Sequence, residues 1–558
     1  MAKPASYPPP DLARAFDDAV NFYRQGRLDE AEKIASRIHK SLPQSHEVLH
    51  LLGVIKLGRG HPAAALTLVE ASLKLNPGAA DALASRGLAL AALGRDADAL
   101  ASLDQALALA PDNPDMLINR GNLLLKLARP QDALAAFEGA LAVAPSHFGA
   151  RVSRGHALLT LGRFAEALAE YGALVAAQPS DPELHFNCGN ALASLGRSAE
   201  AIACFDRAIA LRADHLRAHL SRGVALQALN RHEEALADFE RVLAHNKGNA
   251  DATHNAALSR LTLGDYSRGF VQYEARWQRT GMPPRRRLGK PLWLGEYPLG
   301  RKTILLTAEQ GFGDMIQFAR YAPLLARTGA KVVLEAPPEL MALLDRQEGI
   351  AIVARGAPLP PFDVHCPLGS LPLALRTDSA AIPAPIPYLA VSGERLGEWR
   401  ARLAGIASPR VALAWAGRPT HANDRNRSLA LAQLAPLLAL DRIAFVSVQR
   451  EPREDAHALA AVRSLTHLGG ELKDFDDTAA VLALCDLIVS VDTAVAHLAG
   501  AIGRPVWILL PYQPDWRWKL DRTDSPWYPT ARLYRQSGPG DWDGVIARLR
   551  DDLAKTFP

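Results

Sequence analysis

Cysteine is scarce: Cys188, Cys204, Cys366 and Cys485 are the four in 558 residues, and they form no CxxC pair. They are too few to staple a chain this long and give no cage for a metal ion, so a reducing compartment suits them. An excess of one charge is also missing. Lys and Arg number 63 against 59 Asp and Glu, a formal net charge of +4, which gives no support to nucleic acid or an anionic membrane as the main partner. No run of 18 apolar residues is present to span a membrane; the best, residues 479–485, stops at Asp486. The proline-rich residues 1–10 lack the apolar core of a signal peptide. The expectation is a cytoplasmic protein with no membrane span and no nucleic-acid partner. Tryptophan is absent from the first 276 residues, where Ala and Leu dominate, and all nine tryptophans lie at Trp277 or later. What is present in bulk, 49% apolar and 22% charged residues, is ordinary globular composition. At roughly 100–200 residues per domain the chain holds more than one core.

The Ala/Leu-rich part is periodic. Gly53, Gly87, Gly121, Gly155, Gly189 and Gly223 recur every 34 residues. A second register holds Gly26, Gly60, Gly94, Gly162, Gly196 and Gly264, with Ala128 and Asn230 in its two empty slots. Twelve positions after the first glycine stand Ala65, Ala99, Ala133, Ala167, Ala201 and Ala235, and four further on a bulky residue such as Phe137, Tyr171, Phe205 or Phe239. Pro43, Pro77, Pro111, Pro145 and Pro179 close successive units. This is the tetratricopeptide-repeat pattern. Glycine or alanine permits close helix crossing, the aromatic fills the gap beside it, and proline stops the second helix. Seven units and a degenerate eighth predict an all-α tetratricopeptide solenoid over residues 12–279.

Two residues before the repeat glycines stand Ser85, Asn119, Ser153, Asn187 and Ser221, and Asn255 stands two before Ala257 in the glycine slot, all on the first helix of each pair and on the face expected to line the groove. Amides and hydroxyls in such a ladder can hold an extended peptide by its backbone, or they can simply keep a groove solvated. Leu51 breaks the ladder at its start. A Pro- and Arg-rich stretch, residues 280–300, reads as a connector whose arginines form a solvated tether.

Beyond it the period changes. A strand at 302–307, a glycine turn, a helix at 315–327 and a strand at 331–335 form one Rossmann-type unit. A strand at 411–415, a polar loop at 417–427, a helix at 429–440 and a strand at 444–448 form a second. A helix at 478–485, a strand at 487–491, a helix at 494–502 and a strand at 506–510 complete a third. The expectation is an α/β region of two lobes, 301–388 and 389–558, with ligand at the carboxyl ends of the strands.

Four strings there can carry chemistry. Gln310-Gly311-Phe312-Gly313-Asp314 lies where strand hands over to helix; its glycines admit close backbone approach, and Asp314 either faces the cleft or caps the helix. Asp492-Thr493-Ala494-Val495-Ala496-His497 ends one strand and opens a helix, so free N–H groups and the positive end of the helix dipole offer a phosphate site. His497, one turn on, shares that face. In the loop GRPTHANDRNR, Arg418, Arg425 and Arg427 can neutralise a diphosphate or lie on the surface. Asp474-Phe475-Asp476 reads as a DxD, but its place before a helix favours capping.

Residues 491–507 (VDTAVAHLAGAIGRPVW), with the Gly313-Asp314 turn, resemble the ADP-heptose–lipopolysaccharide heptosyltransferase family. The whole chain resembles bacterial proteins that fuse tetratricopeptide repeats to such a domain. The resemblance implies a twin Rossmann-like glycosyltransferase of the GT-B type that needs no metal and no cofactor beyond its nucleotide-sugar substrate. It implies that Asp314 is the catalytic base. It also implies that Asp492, Thr493 and His497 hold the donor, with Gly311, Gly313 and Ala494 beside them. Ala494 stands where the family has glycine, and Arg425 is assigned the place of the family's phosphate-binding lysine. The fused architecture also resembles the flagellin-modifying glycosyltransferases of bacteria. The acceptor so implied is a protein hydroxyl, flagellin included, recruited along a groove at Asn119, Asn187 and Asn255. The alternative is a peptide-binding scaffold whose transferase domain is degenerate and inactive.

Overall fold

The computed structural model describes residues 10–279, 281–309, 311–380, 382–383, 385–420 and 423–558. Residues 1–9, Thr280 at the head of the expected connector, Gln310 of the glycine turn, and His421 and Ala422 of the polar loop lie outside the described residues.

Among the described residues, sixteen helices run in eight pairs from Pro10–Arg24 to Tyr266–Tyr273. The 34-residue pattern explains the packing. A Cβ added to Gly121 would lie 2.4 Å from the Phe137 ring, and one on Gly155 2.7 Å from the Tyr171 ring. Gly189 stands in the same way to Phe205, and Gly223 to Phe239. Each ring therefore occupies the volume that the missing side chain leaves. In earlier repeats the smaller Val69 and Leu103 fill the same slot against Gly53 and Gly87. The alanines twelve residues on, Ala65 through Ala235, are fully buried at the same crossings. The turn register is conformational: its glycines hold φ near +75°, or +93° at Gly264, and Ala128 and Asn230, at φ 55° and 60°, keep the left-handed geometry without glycine. The second helices end at Ser41, Leu75, Leu109, Val143 and Ala177, two residues short of each proline.

The chain divides into two compact units, one ending at Ala218 and the other His219–Pro558, so the division falls inside helix Leu216–Ala228. The second unit contains the last helices of the array and two wholly parallel sheets. Strands β1 (Thr303–Thr307), β2 (Lys331–Ala336), β3 (Ile350–Ala354) and β4 (Val364–Pro367) form the first, in the order β3-β2-β1-β4. Strands β5 (Arg410–Ala414), β6 (Ala444–Ser447), β7 (Leu465–His467), β8 (Leu487–Val491), β9 (Val506–Leu510) and β10 (Ala531–Arg535) form the second, in the order β10-β9-β8-β5-β6-β7. This is an α/β region of two parallel sheets following an all-helical solenoid, consistent with a GT-B glycosyltransferase.

Three local expectations differ. The helix expected at 315–327 is three pieces: Phe312–Phe318, a 3-10 turn Ala319–Tyr321, and Ala322–Arg327, which Pro323 restarts in its first turn. The helix expected at 429–440 shrinks to a 3-10 turn Leu431–Leu434 and one turn Ala435–Leu438, again with Pro at its start. In the connector Arg285 and Arg287 are exposed, as in a solvated tether, but Arg286 is paired. Arg286 Nη1 donates to both oxygens of Glu335, at 2.7 and 2.8 Å, and Glu335 is 0% exposed. A carboxylate buried at the end of β2 requires a counter-charge, and the connector supplies it. Leu292 adds a parallel bridge to His365 of β4.

Candidate active site

The glycine turn after β1 exists because Gly311 adopts φ +90°, a conformation that side chains disfavour. The turn delivers Asp314 into the first turn of helix Phe312–Phe318. The segment after β8 opens helix Ala494–Ala501 with Thr493 at the N-cap, and Thr493 Oγ1 lies 3.1 Å from Ser490 Oγ. The helix geometry leaves the first N–H groups, at Ala494 and Val495, without intrahelical partners, and Thr493, Ala494 and Val495 are partly exposed. The two segments meet across Gly313: a Cβ there would come within 2.8 Å of His497 Cδ2 and 3.8 Å of Ala494 Cα. Glycine at 313 is what allows the two segments to close to this distance.

Asp314 stays 40% exposed, and one of its oxygens, Oδ1, accepts from Arg517 Nη2. Burial within the second unit pushes its carboxyl up to about 6; the Arg517 charge pulls down, while Asp515 and Glu309 push up. Asp492 is buried and is likewise pushed up to about 6, by burial and then by Asp515, against the Trp518 indole, Arg427 and Arg517. His497 is a different kind of group. It is buried, its Nδ1 lies 3.0 Å from Tyr528 Oη, and its ring stacks on Trp518 with centroids 5.4 Å apart. Burial and then the Arg517, Arg320 and Arg427 charges hold its pKa well below the ordinary value, so the imidazole is neutral.

The basic loop is placed unevenly. Arg427 Nη1 donates to the Asp492 carbonyl at 2.8 Å and its guanidinium lies over Gly417. Arg418 reaches the other lobe, 4.9 Å above the Phe312 ring. Arg425 is exposed on the one-turn helix Asp424–Arg427. Arg427, rather than Arg425, touches the Asp492–His497 segment. The DxD string is a cap: Asp474 accepts from Asp476 N and Asp477 N, both at 2.9 Å, Asp476 pairs with Arg346, and Asp477 accepts from Trp399 Nε1.

In the array, Asn119, Asn187 and Asn255 are partly exposed. Two other rungs already have partners: Ser85 with His50 at 2.8 Å, and Ser153 with Asn122 at 3.2 Å.

Sequence reasoning missed four residues around Asp314. Arg517 and Asp515 follow β9, where the motif reading had stopped. Glu309 lies two residues beyond β1; it accepts from Gly369 N and twice from Arg276, at 3.0 Å each for the latter. Arg276 belongs to the 3-10 turn Glu274–Gln278 that follows the last repeat helix, and it also binds Glu274 and Ser370. A charged residue between two tryptophans, as in Trp516-Arg517-Trp518, was the available signal.

With Asp314 the pH dependence follows. For Asp314 acting as the base that the resemblance implies, a carboxyl at about 6 is ionised at neutral pH, so transfer is expected to be flat above about pH 7 and to fall about tenfold per unit below 6. Stability carries opposing contributions over the same range. As pH falls through about 6 the raised Asp314 and Asp492 carboxyls favour the folded chain, while His497, His232 and His254, all held below the ordinary histidine value by burial, favour the unfolded one. Rates recorded between about pH 7.5 and 5 check the acid limb; a rate that stays flat to about pH 5 would contradict the assignment.

A repeat array joined to a twin-sheet cleft of this kind defines a class, and the comparisons give it a name. The tetratricopeptide-repeat family matches residues 50–114, 118–182, 186–250 and 220–283, and Glycosyltransferase family 9 (heptosyltransferase) matches residues 441–530. The chain thus combines tetratricopeptide repeats with a glycosyltransferase family 9 (heptosyltransferase) domain. The matched stretch contains Asp492, Thr493, His497, Asp515 and Arg517, while Asp314 and Arg425 lie outside it.

Protein FlbA of Caulobacter vibrioides is 28% identical over 326 residues, 52% of this chain. The chain spans about half, 53%, of the length of that curated relative. Among solved structures, a tetratricopeptide repeat protein from Parabacteroides merdae is 20% identical, with 44% of this chain and 98% of that chain covered and a TM-score of 0.36. A thermophilic repeat protein of Thermus thermophilus is 26% identical, with 32% and 98% covered and a TM-score of 0.30. Among the described residues no helix is long and apolar enough to cross a membrane.

Proposed function

We propose that the protein transfers a sugar from a nucleotide-sugar donor to an acceptor hydroxyl, in the cytoplasm and without a metal or further cofactor. The observation that carries this is the approach of the Asp314 turn to the N-terminus of helix Ala494–Ala501 across Gly313. A proton acceptor and a set of free N–H donors then face one cleft. The acceptor oxygen attacks the anomeric carbon, Asp314 takes the hydroxyl proton, and the nucleotide diphosphate leaves with the electron pair of the broken bond. The amides of Ala494 and Val495 and the Thr493 hydroxyl receive the phosphate charge. Arg425, exposed at the rim, and Arg427, fixed on the Asp492 carbonyl, add positive charge. Gly311 keeps the side of Asp314 Oδ2 free of a side chain, and Gly313 lets the His497 segment approach. Asp492 and the neutral His497 shape the donor pocket from behind, since both are buried.

The acceptor in this reading is a protein, flagellin among the candidates, drawn along the repeat groove by Asn119, Asn187 and Asn255. Combined Asn119→Ala, Asn187→Ala and Asn255→Ala substitutions are expected to raise the KM for a protein acceptor about a hundredfold, each lost hydrogen bond being worth about 1 kcal/mol. Hydrolysis of the donor by water should be unchanged. An unaltered acceptor KM would remove the ladder from the mechanism. The activity itself is tested by incubating the protein with a panel of nucleotide sugars and following release of the nucleoside diphosphate. No release from any donor, together with no nucleotide-induced thermal shift, would overturn the reading.

A further inference from the structure

Arg517 is a guanidinium with three separate anchors and little access to solvent; its side chain is 7% exposed. Nη1 donates to Asp515 Oδ1 at 2.8 Å, Nε donates to Gln317 Oε1, and Nη2 donates to Asp314 Oδ1. Its plane lies 4.6 Å from the Trp516 ring and 5.3 Å from Phe318. Asp515 is itself tied down, because it caps the turn Trp516–Trp518 by accepting from Arg517 N. The direction of Nη2 is therefore set before Asp314 is considered. The other Asp314 oxygen, Oδ2, lies 3.7 Å from where a Gly311 side chain would begin, on an exposed side that glycine leaves open.

We propose that Arg517 is a positioning residue for the transfer: by gripping Oδ1 of Asp314 it turns Oδ2 toward the open side at Gly311, where the acceptor hydroxyl gives up its proton. This rests on Asp314 being the base. Arg517 also balances charge. Facing Asp314 are Glu309 just beyond β1, Arg276 from the turn Glu274–Gln278, Tyr273 from the last repeat helix and Asp515 beside Arg517, while the neutral His497 packs against the neighbouring Gly313. Without Arg517 the carboxylates Glu309 and Asp515 would remain beside Asp314, with Arg276 as the opposing charge. The proton on Asp314 would then be held more tightly.

The test is the pH profile of kcat/KM for Arg517→Gln, Arg517→Lys and Asp515→Asn, with donor affinity and melting temperature measured alongside. Arg517→Gln is expected to move the acid limb up by about one to two pH units, the usual effect of a close opposite charge. Its plateau kcat should fall about ten- to a hundredfold through misorientation, with donor affinity kept. Arg517→Lys should restore the limb, since the charge returns, but not the plateau. Asp515→Asn removes a charge that pushes Asp314 up, so its limb should move down; this keeps the inference testable if Arg517→Gln does not fold. A folded Arg517→Gln with the parent limb and plateau would overturn the proposal, as would an Asp515→Asn limb that stays or rises. If Asp314→Asn retains parent turnover, the base assignment itself has failed; if it is inactive while the Arg517 variants behave as the parent, only the positioning role has.

Discussion

Asp314→Asn is expected to lower turnover by roughly two to four orders of magnitude, the usual contribution of a positioned general base, while folding and nucleotide affinity survive. Asparagine preserves size, and Arg517 can still donate to the amide oxygen in place of Oδ1, so the turn after β1 keeps its shape. What is lost is the basic oxygen beside Gly311. The phosphate cradle stands on a different element, helix Ala494–Ala501, and is not touched by the change. Thr493→Val is expected to give the complementary result, with donor affinity falling and Asp314 intact. Val keeps the β-branched shape but removes the hydroxyl that lies 3.1 Å from Ser490 Oγ and borders the free amides. Steady-state transfer and calorimetric nucleotide titration on both variants separate the two roles. Parent-rate transfer by Asp314→Asn would reduce Asp314 to an acidic residue in a helix's first turn.

The second large effect is on stability. Phe137 is fully buried against Gly121, and Phe137→Ala is expected to cost about 3–5 kcal/mol, the range for aromatic truncation in a core. A solenoid repeat contacts mainly its neighbours, so the loss should stay within the first unit. Protease should cut the variant before residue 218, with nucleotide affinity of the second unit unchanged. Phe239→Ala removes the equivalent ring from Gly223, but in the unit that contains both sheets. There the same truncation should lower the melting temperature of nucleotide-protected protein as well. If both variants melt like the parent, the glycine–aromatic contact is not what holds the repeats together.

The array was legible because one unit is repeated: a glycine, an alanine twelve residues on and a ring four further identify both helices and their crossing. The parallel strands were legible as short apolar runs, and β8 and β9 fall on the residues expected. Helix lengths were less so, because Pro323 and Pro436 each restart a helix where apolar periodicity suggested continuity. The ion pairs at the site were not legible at all. Arg517 and Asp314 are 203 residues apart, Arg276 and Glu309 33, and Arg286 and Glu335 49; no local pattern links their members. Only folding brings them together. The Arg425 and Arg427 pair illustrates the same limit, since two arginines two residues apart in one loop look alike in sequence while only one reaches the Asp492 carbonyl.

The most direct measurement is the intact mass of a candidate protein acceptor after incubation with this protein and a nucleotide sugar. The account predicts an increment of one or more sugar residues with the parent protein and none with Asp314→Asn at equal concentration and equal nucleotide occupancy. Equal increments from both, or nucleotide binding with no sugar moved to any protein, lipid or water by the parent, would contradict it.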